Sequence, residues 1–186
     1  MARSLGLESL LNKKRNAIIG KWLELIANAH PAKENLFRDS DQFTNPIGYT
    51  ISSEVEPLVD EFLCGNTRSE KVAHSLDRIV RITAVQEFTP SQAIGFIFLL
   101  KDAVRAELGH QIKDQSFDEL MEIYKRIDDM AFTAFDMYAS CRERIMEIRV
   151  HQVKGEKEDA FRLLERMLLK HEALEDAATS GYNNTK

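Results

Sequence analysis

A carboxylate and an imidazole stand three residues apart at Glu107 and His110, the spacing with which helical di-iron proteins hold their metals. A complete site of that kind needs a second Glu-x-x-His pair on a facing helix, and the sequence contains none. His110 falls at the end of a predicted helix, where an imidazole interacts favourably with the helix C-terminus. We therefore expect no metal site.

A second group of candidate functional residues is a basic stripe on one face of a predicted helix: Lys71, His74, Arg78 and Arg81. Such a stripe could receive an anionic ligand or an acidic partner. Because Glu70 and Asp77 interrupt it, a plain solvated face is the favoured interpretation. An axial haem ligand would have to point into the core, whereas His74 falls on this polar side.

Catalytic motifs are missing from the sequence. Acidic pairs such as Asp60-Glu61 are adjacent, so on a helix their side chains point about 100° apart and cannot share a substrate. No nucleophile elbow, P-loop or dinucleotide-binding glycine pattern occurs. We expect a non-enzymatic protein with no catalytic residues and no cofactor.

Composition narrows the class of protein further. A formal net charge of -5 argues against nucleic-acid binding, and no apolar stretch approaches the length of a membrane span. Cys64 and Cys141 have no metal-binding spacing, and we expect both to be free thiols. A cytoplasmic location follows as the expectation.

The element that organises these residues is a helix over Phe88–Leu108. Thr89, Pro90 and Gln92 form a capping box with proline at the first helical position. The run AIGFIFLL at residues 93–100 is apolar on nearly every side, which predicts a central helix surrounded by other helices.

Three further helices precede this one in the prediction. The first runs from Ser4 to Ala29 and is stopped by His30-Pro31. The second runs from an Asn45 cap to Gly65, a glycine suited to a left-handed C-terminal cap, and it should kink or split near Glu56 because Pro57 follows. The third begins with a capping box at Thr67 and Glu70.

The C-terminal third reads as a fifth helix starting at Ser116, followed by an extension. Apolar residues recur at alternating steps of three and four: Phe117, Leu120, Tyr124, Ile127, Ala131, Ala134, Tyr138, Cys141, Ile145 and Ile148. Gly155 is the expected break before a last helix. We expect a helical domain over residues 1–141, a helical extension over 142–178 and a frayed tail over 179–186.

The extension is the strongest candidate for a partner surface. Together with the tail it is electrically neutral, with nine basic and nine acidic side chains in residues 142–186. Its apolar side chains cannot all be buried by a domain that ends near Tyr138, so they predict a dimer or partner interface: Ile145, Ile148, Leu164, Met167 and Leu168. Folding back onto the domain is the alternative.

An apolar small-molecule pocket is a second functional possibility. Its predicted lining is Trp22, Phe96, Phe98 and Phe132. Gly95 and Ala131 would leave room for a ligand, although close packing of helices explains small residues equally well.

Three strings carry a resemblance to a known family: DQFTNPIGYT at 41–50, RIVRITAVQEFTPSQA at 78–93, and FLLK at 98–101 with Arg105 and Glu107. On these residues the chain resembles the N-terminal domain family of the RsbT co-antagonist proteins, the RsbR-type stressosome sensors. The resemblance covers about residues 5–145.

The resemblance implies an all-α, globin-like fold without haem, frequent dimerisation and a bacterial signalling role as an input module. In that family a STAS, PAS or kinase domain usually follows and delivers the output. Because only about 40 residues follow the match, we expect a stand-alone module, and direct inhibition of an RsbT-like kinase is not expected. The combined prediction is a non-haem helical bundle of five main helices plus an extension, which forms a homodimer and binds a protein partner.

Overall fold

The computed structural model describes residues 7–30, 36–37, 41–86, 88–109 and 117–182, with side chains described as far as residue 170. All regular structure in these ranges is helical, which confirms the all-α prediction. The helices are α1 (Leu7–Lys13), α2 (Arg15–Ala29), α3 (Pro46–Leu63), α4 (Glu70–Val85), α5 (Pro90–Leu108) and α6 (Phe117–Tyr182). None of them is long and apolar enough to cross a membrane, within the part of the chain that is described. The chain divides into two units, Met1–Arg142 and Glu143–Lys186.

The first predicted helix is two helices. Lys14 interrupts it with φ -96° and ψ 6°, although its amide still donates to Leu10 O at 3.0 Å. The prediction of one helix was therefore wrong at this residue, and its predicted start at Ser4 lies outside the described residues. The predicted end is confirmed, since His30 is extended at ψ 140°, as a residue before proline prefers.

Helix α3 has the predicted cap. The Asn45 side chain accepts from the Gly48 amide at 3.1 Å, and Pro46 occupies the first turn. A Cβ at Gly48 would lie 1.8 Å from Leu36 O, so the close approach of that backbone requires glycine. Gly65 has φ +76°, which confirms the left-handed residue predicted after the helix. The helix continues through Pro57 without splitting.

Helix α4 begins two residues later than predicted, because its cap is Ser69 and not Thr67. The Ser69 side chain, not that of Thr67, caps it by accepting from the Val72 amide at 3.2 Å. Thr67 is instead buried. The predicted capping box at Thr67 and Glu70 was therefore wrong.

Helix α5 has the predicted capping box, with the Thr89 amide donating to Gln92 Oε1 at 3.0 Å. It packs against α1, α2 and α4, and residues from its whole length are fully buried, including Ile97, Leu100 and Leu108. One side is nevertheless open, because Phe98 is 43% exposed. The expectation that this helix is surrounded therefore holds for all but that side.

Helix α6 is continuous from Phe117 to Tyr182, so the break predicted at Gly155 was wrong. The predicted start at Ser116 lies outside the described residues. Up to Arg142 the helix belongs to the first unit, and there it buries one face: Leu120, Ile123, Ile127, Met130, Ala131, Ala134 and Tyr138. Polar contacts fix this part to its neighbours, since Lys101 bonds Asp128 at 2.6 Å and Arg142 donates to Ala84 O at 3.1 Å.

Candidate functional site

The predicted metal and thiol residues form no reactive cluster in the described part of the chain. Glu107 makes an ion pair with Lys14 at 3.5 Å, and His110 lies outside the described residues. No group of three His, Cys, Asp or Glu side chains is placed to hold a metal ion in those same ranges. Cys64 and Cys141 are free thiols, as predicted.

The basic stripe is largely ion-paired within the chain. Lys71 Nζ lies 3.1 Å from Glu61 Oε1, and Arg81 Nε lies 2.6 Å from Asp77 Oδ2. The hydrogen bond from Lys71, followed by one from Ser69, holds the pKa of Glu61 below its ordinary value. These contacts favour a solvated, paired surface over a free anion site.

Arg78, the third cation of the stripe, pairs with a buried carboxylate. Its guanidinium donates to Glu54 on α3, whose side chain is only 5% exposed, whereas that of Arg78 is 41% exposed. Arg78 therefore serves to neutralise a charge that the α3–α4 contact encloses. His74 is exposed on the same helix.

The aromatic residues predicted to line a pocket separate into two groups. Trp22 and Phe96 are buried, with ring centroids 6.1 Å apart in a stacked arrangement, and Trp22 Nε1 donates to Phe96 O at 2.7 Å. Phe98 and Phe132 are 43% and 69% exposed, so neither lines a core pocket, and the prediction is corrected for both. Phe98 instead lies 5.7 Å below the ammonium of Lys101.

A cavity of about 320 Å³ lies elsewhere in the first unit, where the end of α2, the start of α3, the end of α4 and the start of α5 meet. Of the four predicted lining residues, Phe96 lies in its wall, beside Gly95, the glycine expected to leave room for a ligand. The lining described is Ile26, Ala29, His30, Ile47, Ile51, Ile79, Thr83, Phe88, Ser91, Gln92, Ala93, Gly95, Phe96 and Leu99. The sequence gives no sign of most of this set, because its members share no spacing and come from four helices and from His30 and Phe88 outside them.

The polar groups in the cavity wall are mostly engaged by local bonds. Thr83 Oγ1 donates to carbonyls of its own helix, with Val80 O at 2.9 Å, and Gln92 Oε1 is the acceptor of the α5 capping box. His30 packs edge-on against Phe88 with centroids 5.5 Å apart. Burial lowers the pKa of His30 below its ordinary value of 6.5, so its ring is neutral at pH 7.

The C-terminal unit offers a different kind of surface. Every described side chain from Met146 to Lys170 is exposed. This set includes ten large apolar residues: Met146, Ile148, Val150, Val153, Phe161, Leu163, Leu164, Met167, Leu168 and Leu169. Apolar residues in such density on one exposed helix are typical of an interaction surface.

Because α6 is continuous through Gly155, its exposed residues form one regular row that the prediction of two helices had divided. Alternating steps of four and three residues define what we call the α6 seam: Met146, Val150, Val153, Lys157, Ala160, Leu164 and Met167.

The five predicted interface residues do not all share this row. Leu168 adjoins the α6 seam, and half-buried Ile145 lies within about 40° of Met167 at 100° per residue. Ile148 lies about 160° from Leu164, on the opposite side of the helix. The structure therefore brings Ile145, Leu164, Met167 and Leu168 to one side of α6 and leaves Ile148 apart from them.

A family model described as "RsbT co-antagonist protein rsbRD N-terminal domain" matches residues 16–153. The chain belongs to this family. The matched range begins in α2 and ends in α6, so the family resemblance inferred from the strings at 41–50 and 78–93 is confirmed. Membership of the RsbRD N-terminal domain family, a regulatory co-antagonist family, indicates a signalling or regulatory module.

A relative of the RsbRD-type chain occurs in Archaeoglobus fulgidus (strain ATCC 49558 / DSM 4304 / JCM 9628 / NBRC 100126 / VC-16). It is 24% identical over 149 residues, which cover 77% of this chain and 87% of the relative, and it is described as an uncharacterized protein. No solved structure matches the chain. The globin-like arrangement therefore stays a prediction.

Proposed function

We propose that this RsbRD-type protein is a non-enzymatic regulatory or scaffolding module that forms a homodimer through the α6 seam and binds a protein partner in signalling. The observation that carries the proposal is the row of exposed apolar side chains between Met146 and Met167. The cytoplasmic location expected from the sequence belongs to the same proposal.

Exposed apolar rows of this kind are costly in water. Burying apolar surface is worth roughly 25 cal/mol per Å², so several half-exposed Leu, Met and Val side chains leave a large free energy unrealised. An isolated helix also draws little stability from propensity alone, and tertiary or quaternary packing normally supplies the rest. A partner that covers the α6 seam would bury this apolar surface and would also supply the packing that stabilises the helix.

A second copy of the chain is the occupant that this surface fits best. Steps of three and four residues are the pattern with which two like helices interlock side chains. Residues 142–186 are electrically neutral, so two copies do not repel each other, whereas the whole chain carries a net charge of -5. Lys157 interrupts the α6 seam, and one polar residue in such a row selects a defined register and oligomer size.

Sedimentation velocity on the full chain tests the dimer. We expect the wild type to sediment as a dimer at tens of micromolar and Leu164→Glu to sediment as a monomer. Leu169→Glu is the matched control, because Leu169 is 65% exposed, comparable with 56% for Leu164, but lies about 140° around the helix. The control variant should remain a dimer.

Glutamate is a good helix former, so the substitutions themselves do not disfavour the helix, and Leu169→Glu should keep the far-UV circular dichroism of the wild type. Leu164→Glu should lose helix content only as far as α6 depends on its partner. A monomeric wild type, or a dimer that survives Leu164→Glu, would refute dimerisation through the α6 seam. Loss of the dimer in both variants would mean that the interface is not confined to this row.

A further inference from the structure

Gly95 stands in the interior of α5 at a point where helix packing does not require a glycine. A Cβ atom at Gly95 would meet no heavy atom within 4 Å, in contrast to Gly48, where it would collide with backbone. Glycine in a helix interior is destabilising relative to alanine. Since Gly95 lies in the cavity wall, the absent side chain contributes open cavity volume rather than a close helix contact.

The wall of the cavity indicates the chemistry of an occupant. Its surface comes mainly from isoleucine, leucine and phenylalanine, and none of the described lining residues is Asp, Glu, Lys or Arg. A charged ligand would therefore lose its hydration without gaining an ion pair, which is strongly unfavourable. The one titratable side chain among the described lining residues is His30, and burial lowers its pKa, which favours the neutral ring.

The size of the cavity limits the occupant further. At about 320 Å³ it lies at the lower end of the range of small-molecule sites. A dry apolar cavity of about 150 Å³ in another protein admits benzene, so this cavity has room for one or two rings. The stacked Trp22 and Phe96 hold one wall in place, because Trp22 Nε1 also bonds the Phe96 carbonyl.

We propose that this cavity binds an uncharged small molecule of one or two rings. Apolar walls supply the affinity. The proposal is independent of the α6 seam, since the cavity belongs to residues before Arg142. A monomeric protein could still bind a ligand in the cavity, and a protein without a cavity ligand could still dimerise through the α6 seam.

Methyl NMR titration of the full chain with indole tests the site. Indole should cause saturable shifts at the isoleucine methyls of the cavity, Ile26, Ile51 and Ile79, and not at Ile123 or Ile127, which are buried on α6 outside the lining. Indole-3-carboxylate, the matched charged compound, should bind at least tenfold more weakly. Equal affinity for the two compounds would overturn the assignment to an uncharged ligand.

Filling the cavity provides the second arm of the test. Gly95→Leu should weaken indole binding at least tenfold, because its side chain enters the open volume. Gly20→Leu is the matched control, since Gly20 on α2 is exposed and also has open space at its Cβ, and indole binding should stay within twofold of the wild type. Gly95→Ala should give a smaller loss than Gly95→Leu and serves where the larger side chain prevents folding.

Three results would overturn the cavity site. The first is the absence of saturable shifts in the wild type up to the solubility of indole. The second is shifts that centre on Ile123 and Ile127, and the third is an unchanged affinity in folded Gly95→Leu, because indole would then bind elsewhere.

Discussion

At the scale of single residues, the Glu54–Arg78 pair is the ion pair whose carboxylate is the most deeply buried among those described. Glu54 is enclosed between α3 and α4, and the guanidinium of Arg78 is the cation that meets it. A buried carboxylate that loses its partner retains the full cost of its desolvation. This pair therefore constrains which side chain residue 78 can carry.

Arg78→Ala should destabilise the protein by about 2 kcal/mol, below the roughly 3–5 kcal/mol of a fully buried pair because Arg78 is partly exposed. Arg81→Ala is the matched control on the same helix. Its partner Asp77 is one helical turn away and accessible, so Arg81→Ala should cost much less stability than Arg78→Ala. Urea unfolding of the two variants measures the difference.

The double variant Glu54→Gln/Arg78→Ala identifies the cause of the loss. It should be more stable than Arg78→Ala alone, because it removes the enclosed negative charge. Equal losses in Arg78→Ala and Arg81→Ala would contradict this account and would place Arg78 among ordinary surface cations.

The spacing of residues in the sequence predicted which side chains share a helix face, but not which neighbouring residue packs against that face. Trp22 and Phe96 were assigned to one apolar site and do stack on each other. Phe98 is two positions from Phe96 and lies on another face, where its side chain is 43% exposed and its ring meets the ammonium of Lys101. Apart from Gly95 and Phe96, the cavity residues escaped prediction because they meet only after four helices have packed.

At the scale of elements, caps were predictable where one residue alone could form them. Asn45 and Thr89 have local partners three residues ahead and behave as expected. Thr67 and Ser69 both precede α4, and the sequence does not distinguish them. In the structure the chain turns at Gly65, which has a left-handed backbone. Thr67 is then buried, and Ser69 is the residue whose side chain caps α4.

At Gly155 the sequence predicted a helix end that the structure does not have. A glycine between charged residues is typical of a helix end, but α6 continues through this one. Gly155→Ala should stabilise the surrounding part of α6 by about 0.5–1 kcal/mol, since a Cβ there meets nothing within 4 Å. Slower amide hydrogen exchange over residues 150–160 would report this. Gly65→Ala is the contrasting variant and should destabilise, because φ +76° strains any side chain. Destabilisation by Gly155→Ala would mean that α6 does bend at this position.

At the scale of the whole molecule, the sequence predicted the helical class and the family, because helix periodicity and the strings at 41–50 and 78–93 are local signals. It did not predict that α6 is one helix, because a glycine is compatible with both a helix interior and a helix end. Continuity changes the functional argument, since only an unbroken helix joins Met146, Val153 and Met167 into one row.

A dimer held by that row makes thermal stability depend on protein concentration. Folding and association are then linked, so each tenfold rise in concentration should raise the melting temperature of the wild type by roughly 2 °C. Leu164→Glu should melt at one temperature at all concentrations, because a monomer has no association step, while Leu169→Glu should follow the wild type. Circular dichroism at 222 nm follows the transition, and α6 contributes strongly to that signal because it is the longest of the described helices. A concentration-independent wild type would mean that the exposed side chains of α6 do not meet a second copy, and the α6 seam would then need a partner of another kind.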